Sequence, residues 1–302
     1  MIAEWKALLR RQSDEWGIAD TDDWTFLVHN NYHQTKSGLN VFWFHRARHP
    51  LVVMKAYKEP EMPRQEFRNL KAAHASAPDF VPRPLGLHKQ GVFWTLWMTG
   101  APGTRLTMKH VSEAAVERLC DALVAIQTRS VARMPADRYR DSVCVPLDEL
   151  QSQPLLSEPC KELRAKCTER WLQSLPWLPQ HGDLYGGNIL VEGRSWRIVD
   201  WESFGQIDLP LYDVLSFWLS IANGVPPPQW GEALRRSASG IIGRYCWACG
   251  VRLKDLGLLV PLLLANRAHQ PYSAERNATA LALLGDYFSR PREWQDALTR
   301  RC

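Results

Sequence analysis

The hydrophobic period changes once along this chain, and that change limits the folds open to it. In the first hundred residues the apolar runs are short and rich in β-branched and aromatic residues: Trp24 to Val28, Asn40 to His45 (NVFWFH), Leu51 to Tyr57 (LVVMKAY) and Val92 to Met98 (VFWTLWM). Runs of this kind separated by polar turns predict an antiparallel sheet. One helix interrupts them over Arg64 to His74, with Phe67, Leu70 and His74 at helical spacing and Pro63 near its start. Pro78, Pro82 and Pro84 then break the chain. Beyond them the period is helical. Ser112 is placed to cap a helix carrying Val116, Leu119, Cys120, Leu123 and Ile126. Leu209 to Ile221, Gly231 to Cys249, Leu253 to Ala268 and Ala274 to Phe288 also read as helices. A small sheet followed by a helical bundle predicts an α+β chain of two lobes. The boundary falls where GAPG at Gly100 to Gly103 interrupts the pattern, giving lobes of 1–99 and 100–302.

Composition narrows the function. The chain has 302 residues, 45% hydrophobic and 23% charged, enough for a sizeable core and unlike a disordered chain. The net charge of +5 is mild, and its basic residues are dispersed, with Arg235–Arg236 and Arg300–Arg301 only as pairs. No basic patch interleaved with aromatics is present, so no nucleic-acid partner is expected. The longest apolar run, Leu256 to Ala265, contains Pro261, and a spanning helix needs about 20 apolar residues, so no membrane insertion is expected. The N-terminal residues lack an uninterrupted apolar stretch and a small-residue cleavage site, so no secretory signal is expected. Seven irregularly placed cysteines read as reduced thiols, which points to a cytoplasmic location. Cys246 and Cys249 read as two thiols one helical turn apart on a packed face, with no second pair to complete a metal site.

The chemistry concentrates in one stretch, HGDLYGGNIL at His181 to Leu190, followed by IVDWE at Ile198 to Glu202. Asp183 lies on a Gly-rich loop, with Asn188 five residues on. Two short strands follow, Ile189 to Val191 and Trp196 to Val199, and Asp200 ends the second. Two carboxylates and an amide facing one small volume are hard oxygen donors of the kind that suit Mg²⁺. Phosphoryl transfer needs such a cation and a carboxylate that accepts the proton of the attacking hydroxyl.

This segment resembles the catalytic loop and metal-binding aspartate of the aminoglycoside phosphotransferase and choline kinase family, whose pattern is HGDxxxxN followed by a strand ending in D-x-[DE]. The resemblance implies a bilobal protein-kinase-like fold, with a small antiparallel sheet and one helix in the first lobe and a mainly helical second lobe. It implies that Asp183 is the catalytic base and that Asn188 and Asp200 ligate Mg²⁺. His181 would orient the loop, and Asp213 in LPLYDVLSF would tie the loop backbone down. Glu202 matches an acidic position of variable role and reads equally well as a solvent-facing charge.

The upstream half resembles the same family through weaker signals. VVMK at Val52 to Lys55 is similar to the strand whose lysine contacts the α/β-phosphates, and Glu66 is placed to pair with Lys55. Ser37 and Gly38, in NNYHQTKSGLN, resemble the loop that covers the nucleotide phosphates, with Lys36 nearby. Trp97 to Thr99 resembles the hinge whose backbone meets adenine, and Gly103 to Leu106 matches the pattern that follows it. The likeness runs from about Thr21 to Leu219 and, by architecture, to the end of the chain.

The function implied is an ATP- and Mg²⁺-dependent phosphotransferase acting on the hydroxyl of a small molecule. A protein kinase is disfavoured, since only a dozen or so residues separate Asp200 from Asp213, no APE-like stretch follows, and Gly182 stands where protein kinases carry Arg. A pseudokinase would be expected to lose one of Lys55, Asp183, Asn188 or Asp200, and all are present. Residues 203–302 hold eight acidic and eleven basic side chains, a balance that weakens electrostatic capture of a polycation. The preferred acceptor is therefore a neutral or weakly charged sugar or glycoside. The alternatives are an aminoglycoside or other antibiotic, or a choline-like amino alcohol; the aromatic faces of Trp177, Trp201, Trp218, Trp230 and Trp247 suit sugar rings or, through cation–π contact, a choline-like head group. Oligomeric state leaves no signal in the sequence.

Overall fold

The computed structural model describes residues 2–18, 23–30, 38–129, 137–270 and 274–299. The chain divides into two compact units, the first formed by residues 1–106 and 187–204 and the second by 107–186 and 205–302.

In the first unit, helix α1 (Ile2–Trp16) precedes strands β1 (Thr25–Asn30), β2 (Gly38–Phe44) and β3 (Val52–Tyr57). Helix α2 (Glu61–Ser76) follows, then β4 (Pro84–Gln90) and β5 (Phe93–Thr99). These strands make an antiparallel sheet in the order β1-β2-β3-β5-β4. Alternation along β3 explains how the sheet carries two different faces. Val52, Met54 and Ala56 are fully buried and join Val41 and Trp43 of β2 in one core, with Trp43 and Trp97 stacked at 6.2 Å between ring centroids. Trp5, Leu8, Leu9 and Trp16 of α1 complete that core. Lys55 and Tyr57 fall on the other face of β3, toward α2, whose buried positions Glu66, Asn69, Leu70 and Ala73 follow helical spacing.

A second sheet, in the order β6-β7-β8, joins β6 (Thr104–Arg105) to a hairpin of β7 (Ile189–Glu192) and β8 (Ser195–Ile198). Its close approach depends on Gly103, which has φ +110 and would place a Cβ only 2.3 Å from the Val191 carbonyl oxygen. Only glycine tolerates both demands. Gly100 is similarly confined, with a Cβ position 1.8 Å from the Pro50 carbonyl oxygen. The GAPG sequence is thus shaped by backbone contacts inside this unit.

The second unit is helical. It contains α3 (Glu113–Arg129), then α4 (Val145–Leu150), α5 (Ser157–Lys166) and α6 (Glu169–Gln173). It continues with α7 (Tyr212–Ile221), α8 (Glu232–Cys249), α9 (Leu256–His269), α10 (Ala274–Ser289) and α11 (Pro291–Thr299). Helix α9 is buried along most of its length, Pro261 included, and packs against α4, α5, α10 and α11, while α3 packs on α8. A buried ion pair, Arg138 Nε to Asp208 Oδ2 at 2.9 Å, anchors the segment that leads into α7.

Several elements depart from the sequence reading, which marked no element at β6, α4, α5 or α6. Helix α1 was not anticipated, because its interspersed charges hide the helical spacing of Trp5, Leu8, Leu9 and Trp16. Strand β4 begins at Pro84 and contains Gly86, both poor strand signals, yet β5 accepts it as an edge partner. Helix α11 follows α10 after a break at Arg290 and was read as part of no element. Among the described residues no helix is long and apolar enough to cross a membrane.

Candidate active site

In the first unit, Lys55 stands between two carboxylates. Its Nζ donates to Glu66 Oε1 at 2.6 Å and to Asp200 Oδ1 at 2.7 Å. Burial alone would lower the pKa of this ammonium, but the Asp200 and Glu66 charges outweigh it and hold it well above its ordinary value. Burial pushes the Glu66 carboxyl up, against the opposing pull of Lys55. The other Glu66 oxygen accepts from the Tyr57 hydroxyl at 2.7 Å. Burial raises Tyr57 well above its ordinary pKa, so it remains a donor. Tyr57 entered the sequence reading only as the end of a strand, with no role beside Glu66. Strand alternation was the available signal, since a residue two positions after Lys55 shares its face.

Asp200 does not end a strand. Strand β8 stops at Ile198, and Asp200 follows with left-handed backbone angles, φ 69 and ψ 64. Aspartate tolerates that region better than most residues, and such strain clusters at functional positions. The turn after it, Trp201 to Ser203, is held by α2, where Asn69 Nδ2 donates to the Trp201 and Phe204 carbonyls at 3.4 and 3.3 Å. On its other side, the Val199 N–H donates to the Asn188 carbonyl at 2.9 Å, which ties the chain at Asn188 to the approach to Asp200. Asn188 itself is buried.

The loop before Asn188 belongs to the second unit and is organised by Asp213. Asp213 is wholly buried in the first turn of α7. One oxygen accepts the His181 N–H at 2.7 Å and the Gln127 side-chain amide at 2.9 Å. The other accepts the Gly182 N–H at 3.1 Å. Gln180 Oε1 in turn accepts the Asp213 N–H at 3.1 Å, and the Tyr245 hydroxyl bonds Gln127. Burial pushes the Asp213 carboxyl up to about 7, against the pull of the N–H groups of His181 and Gly182. Gln127, Gln180 and Tyr245 lie far apart in the chain and carry no motif, so the sequence reading could not join them to Asp213.

Asp183 follows directly on this braced loop. Its N–H donates to His181 Nδ1 at 3.3 Å, and its Oδ1 accepts from Arg276 Nη1 of α10 at 3.0 Å. The Arg276 guanidinium also lies 4.0 Å from the ring centroid of Tyr185, in the same loop. The Gly186 N–H donates to Ser220 Oγ of α7 at 3.0 Å. Arg276 entered the sequence reading only as one of the basic residues of the last hundred.

The remaining residues singled out from sequence are placed as follows. Ser37 lies outside the described residues, as does Lys36. Gly38 opens β2 opposite Tyr57, where an added Cβ would sit 3.3 Å from the Ala56 carbonyl oxygen. Trp97 lies inside β5, paired with Met54 and Gly86, and its ring is fully buried beside Trp43 and Trp16. The Thr99 N–H donates to the Arg83 carbonyl at 2.9 Å, so that group is engaged within the sheet. Trp201, Trp218 and Trp230 are buried, whereas Trp247 on α8 is exposed. A cavity of about 1130 Å³ opens between α3 and α8, lined in part by Trp218 and Trp247, and none of Lys55, Asp183, Asn188 or Asp200 lines it. Cys246 and Cys249 are buried, and burial pushes their thiols up to about 12 and about 11, which makes them poor nucleophiles.

A five-stranded antiparallel sheet with a strand lysine paired to a helix glutamate, and a helical unit presenting an HGD loop, define a kinase-like fold. A model of the phosphotransferase enzyme family matches residues 36–249, most of the chain, and the chain belongs to that family. No curated protein matches it significantly in sequence. Among solved structures it is similar to a choline kinase from Cryptosporidium parvum, with a TM-score of 0.63, 13% identity, and coverage of 98% of this chain and 97% of that one. It is also similar to a Plasmodium vivax ethanolamine kinase, with a TM-score of 0.56, 12% identity, and coverage of 93% and 85%. A third is a spectinomycin phosphotransferase in complex with ADP and spectinomycin, with a TM-score of 0.54, 13% identity, and coverage of 97% and 96%.

Proposed function

We propose that the protein transfers the γ-phosphoryl group of ATP to a hydroxyl of a small molecule, with Mg²⁺ as cofactor. The observation that carries this reading is the largely buried Lys55 bridging Glu66 and Asp200, since a lysine so fixed is placed to meet nucleotide phosphates. Asp183 accepts the proton of the acceptor hydroxyl. A bond forms between that oxygen and the γ-phosphorus, the bond to the β–γ bridging oxygen breaks, and ADP leaves with its electron pair. Asp213 keeps the loop backbone in place through the N–H groups of His181 and Gly182. Glu66 holds Lys55, and Tyr57 holds Glu66.

Asn188 and Asp200 are the residues that would hold Mg²⁺. The donor set fits: it is made of oxygens, it numbers few protein groups, and Mg²⁺ prefers one or two carboxylates plus phosphate oxygens to an all-protein cage. When bound, the cation neutralises charge on the phosphates. Gly38 and the segment through Ser37 are assigned to nucleotide phosphates, and Trp97 to Thr99 to adenine, on the family resemblance alone. Likeness to kinases of choline and ethanolamine and to an antibiotic phosphotransferase gives a sugar or glycoside no preference over those alcohols.

The test is an ATP-consumption screen against amino alcohols, sugars, aminoglycosides and other antibiotics, run beside Asp183→Ala. Loss of a positioned base lowers turnover by about 10²–10⁴ and leaves Mg·ATP binding intact by calorimetry. Near-normal transfer by Asp183→Ala would remove the assignment, and a wild type that binds ATP but neither transfers nor hydrolyses it would make the protein a pseudokinase.

A further inference from the structure

The contact between Arg276 and Asp183 bears on which acceptor this enzyme takes, given the role proposed above for Asp183. An acceptor hydroxyl must reach the Asp183 carboxylate, and Arg276 already stands 3.0 Å from one of its oxygens. The loop does not depend on this arginine for its shape. Asp213 fixes the backbone at His181 and Gly182, and Ser220 fixes it at Gly186. Both partners remain open to solvent in part, with side chains 31% and 20% exposed for Arg276 and Asp183, so the pair is weak as structural glue.

The guanidinium is oriented as well as placed. It lies over the Tyr185 ring at 4.0 Å, which fixes its plane. Arginine carries five N–H donors in a rigid fork that matches the two oxygens of a carboxylate or the face of a phosphate. A second cation contacts the helix that braces the loop. Arg267 of α9 donates to Ser216 Oγ at 2.8 Å. Ser216 and Ser220 are four residues apart on α7 and share a face, so Arg267 meets α7 one helical turn from the serine that holds Gly186. The base excess in the last hundred residues therefore has a local expression beside Asp183.

We propose that Arg276 selects an alcohol carrying an anionic group, a carboxylate or phosphate, next to the reacting hydroxyl, and that it disfavours amino alcohols. A cation within roughly 5 Å of the reacting oxygen changes kcat/KM by about tenfold or more between acceptors of opposite charge.

The experiment uses acceptors of related scaffold and different charge: glycerate, glycerol and serinol in one set, and glucuronate, glucose and glucosamine in another. Rates are compared in the wild type, Arg276→Lys and Arg276→Glu, with Asp183-dependent ATP hydrolysis in water as the baseline. The anionic member of a set is expected to lead the amino member by about tenfold or more, Arg276→Lys to keep the order, and Arg276→Glu to reverse it. A wild-type preference for serinol or glucosamine overturns the proposal. So does an equal loss on all members in Arg276→Glu, the mark of a structural role, or a wild type that hydrolyses ATP through Asp183 and is indifferent to every acceptor. Absence of any Asp183-dependent turnover, with or without acceptors, instead sinks the assignment of Asp183, and this proposal with it.

Discussion

Asp213→Asn sets burial against hydrogen bonding in the loop that carries Asp183. The carboxyl is fully buried and its pKa is pushed up to about 7 from an ordinary 3.8. Below about pH 4 the group is protonated in both folded and unfolded chains and contributes no pH dependence. As pH rises from about 4 to about 7, the unfolded chain releases this proton and the folded one keeps it, so stability falls. A shift of about three units corresponds to about 4 kcal/mol across that window, and the loss is complete above it. Asparagine cannot ionise and has no such slope. Its amide also turns a donor toward the N–H of either Gly182 or His181, a constant cost of about 1–3 kcal/mol. The variant is therefore less stable than the wild type at acid pH and gains on it as pH rises. At about 2 °C per kcal/mol for a chain of this length, the difference in Tm closes by about 8 °C between pH 4 and pH 7. Thermal melts of both proteins at half-unit pH steps measure it. A difference that widens with pH would refute the reasoning, because the three N–H donors would then be holding the carboxylate ionised and burial would not dominate.

Lys55→Met leaves Glu66 and Asp200 facing each other without their shared cation, a change expected to cost about 3 kcal/mol or more and to lower Tm; an unchanged Tm would count against the ion pair. Gly103→Ala puts a side chain at φ +110, with a Cβ 2.3 Å from the Val191 carbonyl oxygen, and is expected to lose about 1–3 kcal/mol or more. Gly193→Ala, at φ +57 but with open space around its Cβ, is the matched control and should lose less in the same melts. Cys246 and Cys249 should resist alkylation at pH 8 in the native protein and react readily in urea, since burial keeps both as thiols.

Much of the fold was legible because its signals are local. The sheet strands around Val41, Met54 and Trp97 announce themselves by composition, and α3, α7, α8, α9 and α10 by period. Helix α1 was missed although Trp5, Leu8, Leu9 and Trp16 have helical spacing, because charged residues between them mask a stripe that only packing on the sheet makes decisive. Strand β4 was missed because Pro84 and Gly86 are poor strand residues on their own, and the ladder to β5 outweighs them. At the candidate site, Asp183, Asn188, Asp200 and Asp213 were singled out by the family resemblance that the HGD stretch and its following segments carry. Lys55 and Glu66 could be paired because a strand and the helix after it bring them together.

The sequence by itself determined the division into a strand-rich and a helix-rich part, the phosphotransferase motif and the identity of its acidic residues, since each depends on residues near one another in the chain. Only the tertiary structure decided that Lys55 is shared between Glu66 and Asp200, that Gln127 and Tyr245 brace Asp213, and that Arg276 stands against Asp183. Those partners come from elements as many as 145 positions apart. Hydrophobic burial brings such elements together without regard to the polar groups they carry, so no local pattern reports which charge will meet which. The excess of base over acid near the C-terminus was countable from the beginning, and folding determined that one of those arginines would face the candidate base.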